Sequence, residues 1–294
     1  MTRYESDFFS RGKRCSAWLF LPDGVDRPPV VVMAHGLAAE KDFGLSRYAE
    51  VFTSRGVACL VFDYRHFGRS EGEPRNLVNP WGQLADWGAA IAHARRLPEV
   101  DGGRVALWGT SFSGGHVVVS AARVPGIRAV LAQVPFVDGL ATALGFPLSY
   151  QVKGLLHGLT DLAHAALGMP PHTVPAVGEP GAFALMNTPE CMAGYLALVP
   201  EGTTWKNEVP ARFALLVSAY RPVAYARKVA CPAFVVYARR DSLIPHRSVR
   251  HMVSRMRDVQ ACVLDAGHFD VYTGALFEEV SARQAEFLAR HLKP

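Results

Sequence analysis

The sequence predicts an α/β fold, a mostly parallel sheet flanked by helices. Three observations lead there. Short β-branched runs alternate with longer segments of helical period; those runs are apolar at every position; and one of them passes through a glycine-rich turn straight into an apolar helix. Parallel neighbours need crossover connections and are covered on both faces, which is why their strands read as continuous apolar runs.

Residues 15–21 follow a Gly12-Lys13 turn and lead into Pro22-Asp23-Gly24, which suits the second arm of an N-terminal hairpin. Strands are expected at 30–33, 57–62, 105–108, 127–134, 234–237 and 261–264, with helices at 45–55, 81–97, 112–123, 246–256 and 275–291. The rhythm breaks after Asp138. Residues 139–218, rich in Gly, Pro, Leu and Ala, read as an insertion, a cap or lid, between core strands of a single domain spanning 1–294. Within it a helix is expected near 148–167, then a hairpin pairing 173–177 with 182–186, then a further helix. Its Leu144, Phe146, Leu155, Leu156, Leu167, Met169, Met186, Met192 and Tyr195 suit either a lid over an apolar acyl group or a small core of the insertion itself.

Composition narrows the function classes. Half of the 294 residues are hydrophobic, enough for a sizeable core. The net charge of +5 is scattered, and its densest pairs, Arg95-Arg96 and Arg239-Arg240, build no long basic run, so no nucleic-acid partner is expected. The start of the sequence lacks a secretory signal pattern and no apolar stretch reaches membrane-spanning length, so the expectation is a cytoplasmic protein without a membrane partner. Cys15, Cys59, Cys191, Cys231 and Cys262 are odd in number and form no Cys-x-x-Cys pair, which reads as buried small hydrophobes. His246 and His251 lie five apart, off the spacing that puts two ligands on one helix face. No metal and no organic cofactor is expected, and a homodimer stays open.

The chemistry concentrates at Gly109-Thr110-Ser111-Phe112-Ser113-Gly114-Gly115, between an apolar strand and an apolar helix. This is the context of a nucleophile elbow, with Ser111 at its tip and small residues, Gly109 and Ser113, two positions either side where strand and helix crowd. A literal Gly-x-Ser-x-Gly occurs instead at Gly68-Arg69-Ser70-Glu71-Gly72, but it leads into Glu73-Pro74-Arg75-Asn76, loop chemistry with no helix to pack. Ser113 is an alternative centre for the elbow.

A serine hydroxyl needs a base within hydrogen-bond reach and a third group to orient that base. Asp241 and His268 each follow an apolar strand, so both fall in the crevice outside the strand C-termini where open sheets bind ligands. Their chain order, Ser then Asp then His, recurs for triads on open α/β sheets. Asp138, at the end of the 127–136 segment, is the reserve acid. Backbone N–H groups supply an oxyanion hole; here they are expected from Phe112, beside Ser111, and from Leu37, after the strand that runs into His35-Gly36. His35 reads as a turn-stabilising residue.

These residues resemble the α/β-hydrolase superfamily over nearly the whole chain: His35-Gly36-Leu37, Asp63 to Ser70, Gly109 to Gly115, Asp241 before Pro245, and Gly267-His268-Phe269-Asp270 before Tyr272. The Gly-Thr-Ser-Phe elbow and the Gly-His-Phe-Asp ending are similar to those of a branch of bacterial esterases and fungal polyketide transferases. The resemblance implies an α/β-hydrolase fold and ester, thioester or acyl-transfer chemistry. His66 stands where relatives often carry Gly. Three functions follow as expectations: a serine hydrolase of a small-molecule carboxylic ester or thioester, working through an acyl-enzyme; an acyltransferase using the same Ser111, His268 and Asp241; and a non-catalytic ligand-binding protein of the same fold.

Overall fold

Eight strands form one sheet in the computed structural model, which describes residues 1–293. They are β1 (Thr2–Glu5), β2 (Ala17–Leu21), β3 (Pro29–Ala34), β4 (Ala58–Phe62), β5 (Asp101–Thr110), β6 (Ile127–Gln133), β7 (Ala233–Ala238) and β8 (Val259–Leu264). Their spatial order is β1-β2-β4-β3-β5-β6-β7-β8. Only β2 runs antiparallel to its neighbours, β1 and β4; every other pairing is parallel. Between β1 and β2 the chain makes a small hairpin, Phe8–Ser10 against Lys13–Cys15.

Nine helices follow: α1 (Leu45–Thr53), α2 (Pro80–Ala94), α3 (Phe112–Arg123), α4 (Gly139–Gly145), α5 (Leu148–Ala166), α6 (Cys191–Leu196), α7 (Phe213–Leu216), α8 (His246–Val253) and α9 (Gly274–His291), counted among the described residues. Alternate residues of β3 explain why the strands are apolar throughout. Val30 and Val32 join the core under α2, α3 and α8, whereas Val31 and Met33 join the core under α1 and α9. Full burial of such a side chain is worth about 1.5–3 kcal/mol, so both faces of the sheet drive folding. Local signals mark the ends. Asn79 caps α2 by accepting from the Gly82 N–H, and Pro80 occupies the first turn, where its missing donor costs nothing.

All six expected inner strands and all five core helices are present, with ends displaced by up to a few residues; the expected second arm of an N-terminal hairpin divides between Lys13–Cys15, paired with Phe8–Ser10, and β2, paired with β1, and α4 and α7 were not expected. The segment 139–218 departs in one respect. Thr173-Val174 pairs with Val209-Pro210, not with 182–186, whereas the rest of the two expected arms stay together: the Leu185 and Met186 N–H groups donate to the Pro175 and Ala176 carbonyls at 3.0 and 2.9 Å, and Val177 and Met186 form a bridge, of parallel type. Pro175 has no N–H to give, so at that position the first arm contributes only its carbonyl. Helix α5 turns its small residues inward: Gly154 and Gly158 are buried against α7, while Leu148, Val152, Leu156, Leu159 and Leu162 face outward. All five cysteines are free and buried.

Candidate active site

The turn from β5 into α3 puts Ser111 at φ 54°, ψ −119°, a conformation that non-glycine residues rarely adopt. The surrounding residues hold it there. The Ser111 N–H donates to the Gln133 carbonyl of β6 at 2.8 Å, and the Ser111 carbonyl accepts from the Phe136 N–H at 2.8 Å. A Cβ at Gly109 would run into the Ser113 backbone, and one at Gly114 into Pro135. Behind the turn, Thr110 and Tyr272 share a hydroxyl contact of 2.5 Å, and Gln133 links Tyr48 to Gln284. A buried polar network of this kind rigidifies its surroundings when every member is paired.

Asp241 and His268 reach the same point from the ends of β7 and β8. Asp241 is acceptor-only when ionised: one oxygen takes the N–H groups of Leu243 and Ile244 at 2.9 and 2.7 Å, and the other takes the His268 Nδ1–H at 2.7 Å. With its proton on Nδ1, His268 presents the Nε2 lone pair to Ser111 Oγ, 3.1 Å away. Both side chains of the Asp241–His268 pair are almost wholly buried. The structure therefore brings Ser111, His268 and Asp241 into one hydrogen-bonded line.

The competing residues are occupied elsewhere. Asp138, the reserve acid, caps α4 through the N–H groups of Leu140 and Ala141 and forms a two-pronged pair with Arg221, both contacts 2.9 Å. Ser113 is buried and accepts from the Tyr64 hydroxyl at 2.9 Å. Ser70 is a structural knot: it accepts the Ser16 N–H and donates to the Asp63 carbonyl, both at 2.8 Å, beside the buried Lys41–Asp63 ion pair. His66 contacts the Pro74 carbonyl and lies off the cavities at Ser111. His35 donates from Nδ1 to the Gly36 carbonyl, and burial pushes its pKa down to about 4.

Leu37 stands beside Ser111 because Gly36 lets the two turns approach; a Cβ there would lie 3.1 Å from the Ser111 Cβ. Neither the Leu37 nor the Phe112 N–H has an acceptor among the described residues. Three side chains of the 139–218 segment brace this region. Tyr195 donates to the Leu37 carbonyl at 3.0 Å, and Trp205 Nε1–H to the Ala38 carbonyl at 2.8 Å. Glu190 accepts the His268 N–H at 2.9 Å and the Ser242 N–H at 3.0 Å. Sequence reasoning missed Glu190 and Trp205, and no local pattern could have found Glu190, whose partners lie 78 and 52 residues away.

A cavity of about 470 Å³ opens at Ser111. Leu37, Phe112 and Phe136 form its floor; α4, α5 and α7 wall it through residues such as Leu144, Leu155 and Leu215, and no charged side chain lines it. A second space of only about 30 Å³ lies on the His268 side of Ser111, bounded by Met186, Tyr195, Phe269 and Tyr272. The apolar residues of the insertion thus divide. Leu144, Phe146, Leu155, Met186 and Tyr195 face these cavities, while Leu156, Leu167 and Met169 are exposed and Met192 packs against the small cluster that Met186 and Tyr195 form with Ala39 and Phe43.

Comparison with known proteins identifies the family and the fold. The family model described as X-Pro dipeptidyl-peptidase, S15 family, matches residues 11–270. The quorum-quenching protein AidA of Acinetobacter baumannii is 40% identical over 96% of this chain and 93% of its own. A polyketide transferase of Aspergillus fumigatus is 28% identical over 94% of this chain and 93% of its own. The crystal structure of the alpha/beta hydrolase GrgF from Penicillium sp. sh18 superposes with a TM-score of 0.85 at 25% identity, covering 99% of both chains. A family match of that length, on a sheet of this order, makes the chain a member of the S15 family within the α/β-hydrolases.

Proposed function

We propose that this hydrolase cleaves carboxylic esters or thioesters with an apolar acyl group, through an acyl-enzyme on Ser111. The observation that carries the reading is the hydrogen-bonded line Ser111–His268–Asp241 at the mouth of an uncharged cavity. His268 Nε2 takes the Ser111 proton as Oγ attacks the carbonyl carbon, and Asp241 holds the ring and stabilises the imidazolium. The developing oxyanion takes the free N–H groups of Leu37 and Phe112; loss of one such donor typically costs about 2.7–4 kcal/mol. The imidazolium then protonates the leaving oxygen or sulfur. His268 next draws a proton from water, which attacks the acyl carbon and releases the acid.

The cavity wall supports the substrate class. A dipeptidyl substrate brings a free ammonium that needs an anionic partner when buried, and none lines the cavity. An aliphatic acyl chain fits without leaving any charge unpaired. The segment 139–218 serves in this reading as a cap, since α4, α5 and α7 supply most of the wall.

Acyl transfer is the second reading, favoured by the Aspergillus fumigatus polyketide transferase among the relatives. The test is turnover of p-nitrophenyl esters from acetate to laurate by wild type and Ser111→Ala. Loss of turnover with an unchanged far-UV spectrum is expected; unchanged turnover would overturn the assignment. Product analysis with added alcohol separates the two readings, because a transferase diverts acyl groups from water at modest acceptor concentration.

A further inference from the structure

We infer that Glu190 is a positioning residue of the active site, one carboxylate that locks the loop of Asp241 to the loop of His268. The inference rests on the Ser111 reading above and adds to it a residue from outside the core sheet.

Glu190 lies in the 139–218 segment, just before α6. One of its oxygens accepts the His268 N–H at 2.9 Å. The other accepts the N–H of Ser242, the residue after Asp241, at 3.0 Å, and also the Ser242 hydroxyl. The Ser242 hydroxyl has one proton and Glu190 can only accept, so that proton goes to Glu190, and the Thr188 hydroxyl, 2.6 Å away, donates to Ser242. Every acceptor site on this carboxylate that the structure uses is filled from the two loops that carry the acid and the base.

The His268 loop is shaped around this contact. A Cβ at Gly267 would run into the Glu190 carboxylate, so the glycine is what lets the acid approach. The neighbouring Gly267 N–H is held separately by Asp270 at 2.8 Å. Freed from Glu190, the His268 and Ser242 N–H groups lose their acceptor; the two loops are then joined upstream by the Arg240 N–H on the Ala266 carbonyl at 3.0 Å and the Arg240 guanidinium on the Asp265 carbonyl at 2.7 Å, while the Asp241 carboxylate keeps its turn through Leu243 and Ile244. Nothing else among the side-chain hydrogen bonds of Asp241, Ser242 and His268 spans the two loops except the Asp241–His268 contact itself. Glu190 therefore acts through the ring orientation of His268 and has no contact with the reacting atoms.

Glutamine cannot replace it. A carboxylate offers two acceptor oxygens, whereas the amide offers one and turns an NH₂ toward either the His268 or the Ser242 N–H, where donor faces donor. The experiment compares wild type, Glu190→Gln and Ser111→Ala in ester turnover, in thermal unfolding, and in the far-downfield proton resonance of the Asp241–His268 hydrogen bond. For Glu190→Gln the expected result is a kcat lowered about tenfold with KM within twofold, a Tm within a few degrees of wild type, and a displaced or broadened downfield resonance. A kcat within twofold of wild type, or an unshifted resonance, overturns the inference. Should Glu190→Gln fail to fold, Gly267→Ala probes the same contact from the other side: the same loss of kcat and displaced resonance are expected, and their absence overturns the inference equally. Ser111→Ala keeps the readings apart: turnover surviving in that variant defeats the serine mechanism, while the resonance still decides for or against Glu190.

Discussion

Tyr195 donates its hydroxyl proton to the carbonyl of Leu37 across 158 residues of chain, at 3.0 Å. The contact holds the turn that lies beside Ser111, so a residue of the 139–218 segment braces an element of the core. Replacing Tyr195 by Phe keeps the ring packed against Phe43 and Trp205 and removes only this bond. One neutral hydrogen bond is worth about 1 kcal/mol, so kcat should fall about fivefold with little change in KM. Steady-state kinetics on a short ester checks it; a KM effect alone would mean that Tyr195 contacts substrate instead of the turn.

The two candidate acids predict opposite phenotypes. Asp241→Asn leaves the volume unchanged but places an amide against His268 Nδ1, which favours the wrong tautomer and should lower kcat by about three to four orders of magnitude. Asp138→Asn removes the charge from a helix cap and an Arg221 pair on the surface, so kcat should stay within twofold while stability drops by about 1 kcal/mol. Parallel assays of turnover and urea unfolding separate them, and the reverse pattern would exchange their roles.

Why these acids could be ranked at all from the sequence is a matter of what each signal needs. The parallel sheet was legible because burial on both faces leaves continuous apolar runs, as at 30–33, where successive valines enter opposite cores. Ser111 was legible because its elbow demands small residues at fixed offsets, and Asp241 and His268 because a strand end places them in the crevice. Ser70 matched the literal motif yet serves as a brace for Ser16 and Asp63, since a motif without the strand-turn-helix context carries no position. The 139–218 segment was the least legible. Its short elements are set by long-range contacts such as Asp161 with Arg212 and Glu190 with His268, and of the expected pairing of 173–177 with 182–186 only the part from Pro175 onward forms, because Thr173-Val174 is taken by Val209-Pro210.

In the proposed reaction the large cavity takes the acyl group, so its walls set the acyl-chain length. Ala143 of α4 lines it beside Leu140 and Leu144, and Ala143→Phe fills part of that space. Excluding one or two methylenes from an apolar pocket is worth about 1–3 kcal/mol, so kcat/KM for octanoate and longer esters should fall by about tenfold or more. Acetate should change less than twofold. A chain-length series on both proteins measures this; a uniform loss across all lengths would place the acyl group elsewhere.

Stability toward acid should depend on a histidine outside the site. His116 of α3 is fully buried, with Tyr220 on Nδ1 and Gln83 on Nε2, and burial pushes its pKa down to about 3. In the unfolded chain it titrates near 6.5. Below that pH the unfolded state binds a proton that the folded state refuses, so the stabilisation is whole above 6.5 and drains away as pH falls toward 3. The slope for one such group is about 1.4 kcal/mol per pH unit. His35, pushed down to about 4, acts in the same direction, while Glu40, raised by burial to about 7, opposes both by losing stability as pH rises from 4.5 to 7. His66, His93 and His157, also lowered by burial, act with His116 and His35, and Asp42 and Asp86, raised by burial, act with Glu40, so the buried histidines outnumber the raised carboxyls. His116→Gln removes one descending group, so its unfolding free energy, measured by urea titration at pH 5, 6 and 7.5, should fall less steeply on acidification than that of the wild type. Parallel slopes for the two proteins would mean that His116 is protonated in the folded state.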